Sequence, residues 1–199
     1  KQGIAVGELR KHIAHDGKQD KLFFRSEKPG ASTGAIVVDV IEKALANLPI
    51  PKRMRWGSSR AEFVRPIQWI CVLFGREPLK GELMGINIAA TTRGHRFHAN
   101  TAITIDTAAH YEDVLREQGK VIANFTTRHN MVREQVVAQG QKLGGQAIID
   151  EGLLDEVTAL VEWPRALAGG FDKRFLAVPA EALISSMKEH QKYFHVVDK

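Results

Sequence analysis

The sequence predicts an α+β fold in which mixed β-sheet segments come first and the helices are grouped in the second half. From Lys52 to Ile105 the chain consists of short β-rich segments separated by glycines and Pro78. From Asp106 onward, helical spacing of apolar residues dominates. The chain has no Gly-x-Gly-x-x-Gly, no Walker loop and no metalloprotease helix, which disfavours the Rossmann and P-loop classes.

The first part of the chain predicts a β-hairpin over residues 4–27. Asp16-Gly17 supplies turn chemistry between Ile4–Ile13 and the apolar residues Leu22, Phe23 and Phe24.

A helix is predicted to follow over Thr33–Leu48, where apolar residues recur at helical spacing. Thr33 is the expected cap, and Pro49 ends the helix. We therefore expect a hairpin-and-helix lobe over residues 1–48 and a main α+β domain over residues 49–199, either separate or continuous.

The main domain is predicted to begin with strands and continue with helices. The run 64–74 is apolar enough to be buried, and residues 103–105 form a strand that stops at Asp106. The remaining expected elements are a helix over Tyr111–Ile122 broken near Gly119, helices over Arg128–Leu143, Leu153–Val161 and Ala180–Gln191, and strands over Ala166–Gly169 and Tyr193–Val197.

Positive charge is concentrated in one quarter of the chain. The net charge is +5, and residues 51–100 carry 9 basic and 3 acidic side chains. Such a patch favours phosphate backbones and speeds their encounter without carrying sequence information. A solubilising basic surface is the alternative.

The main candidate site is the run Thr91–Phe97. Arg93 and Arg96 flank Gly94, so the backbone can approach a phosphate while both guanidinium groups supply bidentate contacts. His95 adds a further donor. The alternative is a structural turn whose arginines are held by Glu82 or another acid.

Three further cations are candidates for nucleic-acid contact. Arg55 lies beside Trp56, which either stacks on a base or packs in the core. Lys188 and Lys192 are spaced to share a helix face, where they either contact phosphates or complement the helix C-terminus.

No catalytic, cofactor or metal site is predicted within this chain. Asp155 and Glu156 are adjacent on a predicted helix and do not face each other, so structural ion pairs explain them better than an acid–base dyad. Cys71, as the single cysteine, excludes an internal disulfide framework and is expected to be a buried hydrophobe. No apolar run reaches the length of a membrane span.

Taken in order, five motifs resemble the beta subunit of bacterial two-subunit glycyl-tRNA synthetases. They are Lys52–Gly57, Phe63–Trp69, Thr91–Phe97, Asp155–Val157 leading into Val161–Pro164, and Met187–Phe194. The resemblance runs from about Pro49 to Lys199, and residues 1–48 match it more loosely. Within it, Arg65–Ile67, Leu73–Gly75 and Pro78-Leu79 are also similar to the editing-type domain of the phenylalanyl-tRNA synthetase beta subunit.

The resemblance implies an N-terminal fragment of a longer cytoplasmic protein, which fits a chain that starts at Lys1 without an initiator Met. In that family, the alpha subunit activates glycine with ATP and magnesium and transfers it to tRNA, and the beta subunit contributes tRNA recognition. We expect an accessory domain that contacts glycine tRNA and helps assemble two alpha with two beta subunits, without catalysis of its own. A purely structural scaffold and an editing-type hydrolase acting on mischarged tRNA are the alternatives.

Overall fold

The computed structural model describes residues 5–23 and 27–198 and confirms the mixed α+β class. The strands are β1 (Ile13–His15), β2 (Asp20–Leu22), β3 (Met54–Arg55), β4 (Glu62–Phe63), β5 (Ile70–Cys71), β6 (Leu73–Phe74), β7 (Glu77–Pro78), β8 (Glu82–Leu83), β9 (Ile86–Ala89), β10 (Thr91–Arg93), β11 (Ala102–Thr104), β12 (Gln146–Ala147) and β13 (Val196–Val197). The helices are α1 (Thr33–Ala46), α2 (Tyr111–Val114), α3 (Phe125–Lys142), α4 (Glu151–Leu160) and α5 (Ala180–Ser185).

The N-terminal hairpin is confirmed in part. Strands β1 and β2 pair antiparallel with His15 opposite Asp20, and the Asp16 carboxylate accepts the N–H groups of Lys18 and Gln19, which closes the turn. The predicted first arm is wrong over Val6–His12, which is a 3-10 helix, and Ile4 lies outside the described residues. Local bonds such as Glu8 N–H to Ala5 O, at 2.9 Å, satisfy the backbone there. Of the predicted second arm, Phe24 lies outside the described residues.

The predicted helix over residues 33–48 is confirmed as α1, with corrected ends. Ser32, not Thr33, occupies the N-cap position, and the helix stops at Ala46, two residues before Leu48. The Asn47 side chain donates to Lys43 O at 2.8 Å, which satisfies a terminal carbonyl and ends the helix before Pro49 is reached. The division of the chain at residue 48 stays a prediction.

The β-rich region contains several small sheets. Strand β9 lies between β5, to which it is parallel, and β8, to which it is antiparallel. Strands β10 and β11 form a separate antiparallel pair in which Thr92 lies opposite Ile103. Strand β6 turns into a hairpin with β7, so the chain leaves the sheet after β5.

The predicted burial of residues 64–74 is wrong. Val64, Trp69 and Phe74 are exposed, and the apolar side chains between them are at most half-buried. Strands β5 and β6 are each only two residues long, so they offer little paired surface against which this segment could be buried. The buried apolar side chains of this region are instead Leu79, Leu83, Ile103 and Ile105.

The grouped helices are confirmed. Helix α2 continues as a π-helical turn over Leu115–Gly119 and ends where Lys120 takes a left-handed conformation, at the predicted break. Helices α3 and α4 are both capped by side chains, since Asn124 accepts the Thr127 N–H at 3.0 Å and Asp150 accepts the Leu153 N–H at 2.9 Å.

The strand predicted at residues 166–169 does not form. Two glutamines of α3 take the hydrogen bonds that a partner strand would take: the Gln135 carbonyl oxygen accepts the Ala166 N–H at 2.9 Å, and the Gln139 amide donates to Ala166 O at 3.2 Å. The segment is therefore extended but held by side chains. Near the C-terminus, α5 continues as a π-helical turn to His190, and the predicted strand shortens to β13, which pairs with the unpredicted β12.

Arg128 joins the N-terminus of α3 to α4 and to the segment before α3. Its guanidinium is partly buried and donates to Thr158 O at 2.8 Å, to Ile122 O and to Ala123 O. Ile122 N–H also donates to Glu162 O at 2.9 Å. One side chain thus satisfies carbonyls both in α4 and in the segment that precedes α3. Among the described residues, no helix is both long and apolar enough to cross a membrane.

Replacing Arg128 with Met tests this junction. Arg128→Met keeps the aliphatic stem but leaves the three carbonyls without their donor, so we expect a loss of about 2–4 kcal/mol in the free energy of unfolding, measured by urea denaturation. Arg133→Met is the matched control, because Arg133 lies on the same helix and pairs with Glu151 at the surface, so its loss should cost much less. Equal losses of unfolding free energy from both variants would contradict the role of Arg128 at this junction.

Candidate nucleic-acid interface

The candidate site is the loop that connects β10 to β11, defined here as residues 94–101 and called the site loop. Arg93 lies opposite Ala102 at the end of the ladder. Inside the loop, Gly94 N–H donates to Thr101 O at 3.3 Å and Ala99 N–H donates to His95 O at 2.9 Å. These bonds close a compact turn and project residues 96–98 outward.

The site loop is fixed to the end of the α2 region through two glycines. His95 N–H donates to Gly119 O at 2.6 Å. A Cβ built at Gly94 would lie 2.4 Å from Ala99 O and 2.8 Å from Gly119 Cα, distances that no side chain tolerates. The backbone of Gly94 is therefore engaged within the fold, and its role as a nucleic-acid contact stays a prediction.

His95 organises the tip of the site loop. Its Nδ1 accepts the N–H groups of Phe97 at 3.2 Å and His98 at 3.3 Å, which places the proton of the neutral ring on Nε2. The His95 ring also lies 4.4 Å from the His98 ring, centroid to centroid. The imidazole therefore fixes the backbone from which Phe97 projects.

The arginines of the site loop region are exposed cations. Within residues 5–23 and 27–198, neither Arg93 nor Arg96 has an acidic partner within 4.0 Å. The alternative in which Glu82 or another acid holds them is not observed in this part of the chain. Phe97, which lies between Arg96 and His98 in the sequence, is 85% exposed.

Arg55 differs from these two arginines because it has an acidic partner. Its Nε donates to the Glu62 carboxylate at 2.6 Å across the β3–β4 pair, so its charge is partly neutralised. The neighbouring Trp56 is half-buried. Arg55 stays a predicted nucleic-acid contact. To bind a phosphate, it would have to give up its ion pair with Glu62.

A pocket of ≈ 390 Å³ lies beneath β10, where Trp69 Nε1 donates to Thr92 Oγ1 at 3.2 Å. Cys71 and Tyr111 also line it, and burial raises the pKa of both the Cys71 thiol and the Tyr111 phenol. Cys71 is half-buried, not fully buried as predicted. Trp69 supports the strand that leads into the site loop.

The two C-terminal lysines are held by acids of the α4 region. Lys188 Nζ lies 2.8 Å from Asp150 Oδ2, and Lys192 Nζ lies 2.9 Å from Glu156 Oε2. The hydrogen bond from Lys188, with the Leu153 N–H, lowers the pKa of the Asp150 carboxyl, and Asp150 raises the pKa of Lys188.

The shared helix face predicted for these lysines is wrong. The helix ends at His190, and Lys192 takes a left-handed conformation beyond it. Both lysines nevertheless reach the same neighbouring helix, because the chain folds back over α4. As nucleic-acid contacts, Lys188 and Lys192 stay predictions.

The carboxylates considered for catalysis each have a structural partner. Asp155 lies 3.3 Å from His129 Nε2, and Glu156 pairs with Lys192. Among the residues that the structure describes, no group of three or more His, Cys, Asp or Glu side chains is arranged to hold a metal ion.

Two features of the site are not predicted from the sequence: the contact between Gly94 and Gly119, and the exposure of Phe97. Gly119 in the sequence predicts only a helix break, which the structure confirms. Phe97 ends the recognised motif, but an aromatic residue gives no sequence signal for being exposed, since most are packed in cores.

Together, these features define an α+β module with an exposed cationic loop and no metal cluster among the described residues. A comparison with protein families matches residues 1–199 to the family described as glycyl-tRNA synthetase beta subunit. The chain belongs to this family, as its motifs predicted.

Individual relatives agree. The chain is 53% identical over 177 residues to the glycine–tRNA ligase beta subunit of Hahella chejuensis, which covers 89% of this chain and 26% of the relative. It is 47% identical over 196 residues to the subunit of the same name from Chromohalobacter salexigens, covering 98% of this chain and 28% of the relative. The chain therefore spans about a quarter of the length of the curated relatives it matches.

A methyl group at Gly94 tests how the site loop is anchored. Gly94→Ala drives Cβ into Ala99 O and Gly119, so we expect a loss of about 1–3 kcal/mol in the free energy of unfolding. We also expect faster amide hydrogen exchange at His95, whose bond to Gly119 O would lengthen.

Gly169→Ala is the control, since a Cβ there meets no atom within 4 Å. Its stability should stay within about 0.5 kcal/mol of the parent. If Gly94→Ala behaved like this control, the close approach of Gly94 and Gly119 would not anchor the loop.

Proposed function

We propose that this chain is an accessory domain that contacts glycine tRNA through the site loop and helps assemble the intact beta subunit. The observation that carries the proposal is a pair of exposed guanidinium groups, those of Arg93 at the end of β10 and of Arg96 in the site loop, which have no acidic partner among the described residues. Guanidinium forks bind phosphate in two-point geometry, so a loop of this kind suits an RNA backbone.

The distribution of ion pairs supports the same surface. In the C-terminal half, Arg133, Lys188 and Lys192 each pair with an acid of the α4 region. Residues 51–100 carry 9 basic against 3 acidic side chains, so their positive charge exceeds the acids available to neutralise it. The potential for attracting a polyanion is therefore greatest around the strands that support the site loop.

The activity of the complete enzyme is part of the proposal. The relatives are named glycine–tRNA ligase beta subunit, and we propose that the intact protein supports the ATP-dependent attachment of glycine to tRNA in the cytoplasm. ATP and magnesium would act through an alpha subunit, in an assembly of two alpha and two beta subunits. This chain would bind no cofactor and perform no chemistry by itself.

Assembly is a second candidate function, favoured by an apolar groove of ≈ 970 Å³ in the C-terminal half. The side chains of Leu167, Phe171, Phe175, Leu176 and Tyr193 line it and are exposed. Exposed apolar patches of this kind mark interaction surfaces. We propose the remainder of the same subunit as the occupant, since this chain spans only about a quarter of its relatives.

An editing-type role is retained as an alternative for the β-rich region, on the sequence similarity of Arg65–Ile67 and its neighbours to the phenylalanyl-tRNA synthetase editing domain. The ≈ 390 Å³ pocket beneath β10 is where a small group would enter. Its lining includes the Cys71 thiol and the Tyr111 phenol, and burial holds both groups toward their neutral forms. This chemistry favours binding over hydrolysis.

Binding of glycine tRNA across a salt series tests the proposal. The parent chain should bind with a steep dependence on salt, and the double variant Arg93→Ala/Arg96→Ala should stay folded, lose affinity and lose about two units of log–log slope, because each phosphate contact contributes about one unit.

The control removes two cations elsewhere, with Lys142→Ala and Arg165→Ala. Both are exposed, so the net charge falls equally while the site loop is untouched. The control should keep nearly all of the parent's slope. If parent and double variant bound equally weakly, the RNA proposal would fall and the assembly function would take its place.

A further inference from the structure

Phe97 is the feature of the site loop that phosphate binding does not explain. Its side chain is 85% exposed, whereas the buried apolar side chains of this region, such as Ile103 and Ile105, are covered almost completely. An exposed phenyl ring gains nothing for folding, since the hydrophobic contribution of a side chain depends on its burial.

The backbone that carries the ring is held in place. Its own N–H donates to His95 Nδ1 at 3.2 Å, and the turn below it is closed by the Ala99 N–H to His95 O bond at 2.9 Å. His95 in turn is tied to Gly119. The backbone under Phe97 is therefore preorganised, which lowers the entropy lost when a partner binds.

The neighbours of the ring are cationic or able to donate hydrogen bonds. Arg96 precedes Phe97, His98 follows it, and Arg93 stands at the end of β10. An apolar protein partner would have to bury these groups, including two guanidinium charges without acidic partners among the described residues, which is costly. A nucleotide offers both a flat face for the ring and a phosphate for the cations.

We propose that Phe97 is a stacking platform for an unpaired RNA base, with Arg93 and Arg96 on the phosphates beside it. This inference rests on the proposed RNA-binding function and narrows its ligand to unpaired nucleotides. In a duplex the faces of the bases are stacked on one another, so an aromatic ring finds a free face only at single-stranded segments, loops or ends. Stacking of this kind tolerates any base, because every base has a π-face.

The experiment compares two RNA probes on the intact subunit. One is a single strand of about a dozen nucleotides with a fluorescent 2-aminopurine in its middle, and the other is a fully paired duplex with as many phosphates. We expect the parent to bind the single strand more tightly and to change the 2-aminopurine fluorescence as the base stacks. Phe97→Ala should weaken single-strand binding by about five- to a hundredfold, with the salt slope and the duplex affinity unchanged.

Two further variants make the result specific. Phe97→Trp, unlike Phe97→Ala, should bind the single strand at least as tightly as the parent, since Trp provides a larger stacking face. Phe23→Ala removes another exposed phenyl ring, outside both the site loop and the apolar groove, and should leave the affinity for both probes as in the parent.

The possible results separate this inference from the proposed function. If Phe97→Ala bound both probes like the parent while Arg93→Ala/Arg96→Ala lost slope, the stacking platform would be refuted and the phosphate contact would stand. If Phe97→Ala weakened subunit assembly and left RNA affinity unchanged, the ring would belong to a protein interface. If the parent bound neither probe in a salt-dependent way, both proposals would fail.

Discussion

The close approach of two backbones, at Gly94 and Gly119, is the constraint on which the candidate site depends. Because neither residue has a Cβ, the chain leaving β10 can lie against the end of the α2 region and donate the His95 N–H to Gly119 O at 2.6 Å. That contact joins the β-rich part of the chain to the helical part at one point. The exposed tip of the site loop thus stands on a fixed backbone, so only its side chains have to be ordered when a polyanion binds.

The surface of the chain has two parts, which differ in whether their cations are paired with acids. Acids on and before α4 neutralise the lysines that fold back over them, and the same arrangement lowers the pKa of Asp150 and raises that of Lys188. Such exposed pairs contribute little to stability but remove free charge from the surface. Residues 51–100 carry only three acids, and neither Arg93 nor Arg96 pairs with an acid among the described residues. The apolar groove lies in the neutralised part, which suits a protein contact there and an RNA contact at the loop.

Sequence reasoning predicted the parts of this structure that have a local signal. Helical periodicity gave α1, α3 and α4 within a few residues, the Asp16-Gly17 turn gave the first hairpin, and five ordered motifs gave the family. It was wrong where tertiary contacts decide. Gln135 and Gln139 take the bonds of a strand expected at residues 166–169, and residues 64–74 are exposed or half-buried where an apolar run suggested a core. Within the site, Arg93 and Arg96 were identified from their spacing, but the partnership of Gly94 with Gly119 spans 25 positions and has no sequence signature.

Zero-length ultraviolet cross-linking of the intact subunit to glycine tRNA, followed by mass spectrometric mapping of the linked peptides, tests whether the site loop touches RNA bases. Such cross-links form only where a side chain touches a base, and aromatic rings stacked on bases are favoured sites. We expect a cross-linked peptide that contains residues 94–101, with Phe97 as the modified residue. Cross-links confined to the Lys188–Phe194 segment or to the rest of the subunit, with none in the site loop, would contradict it.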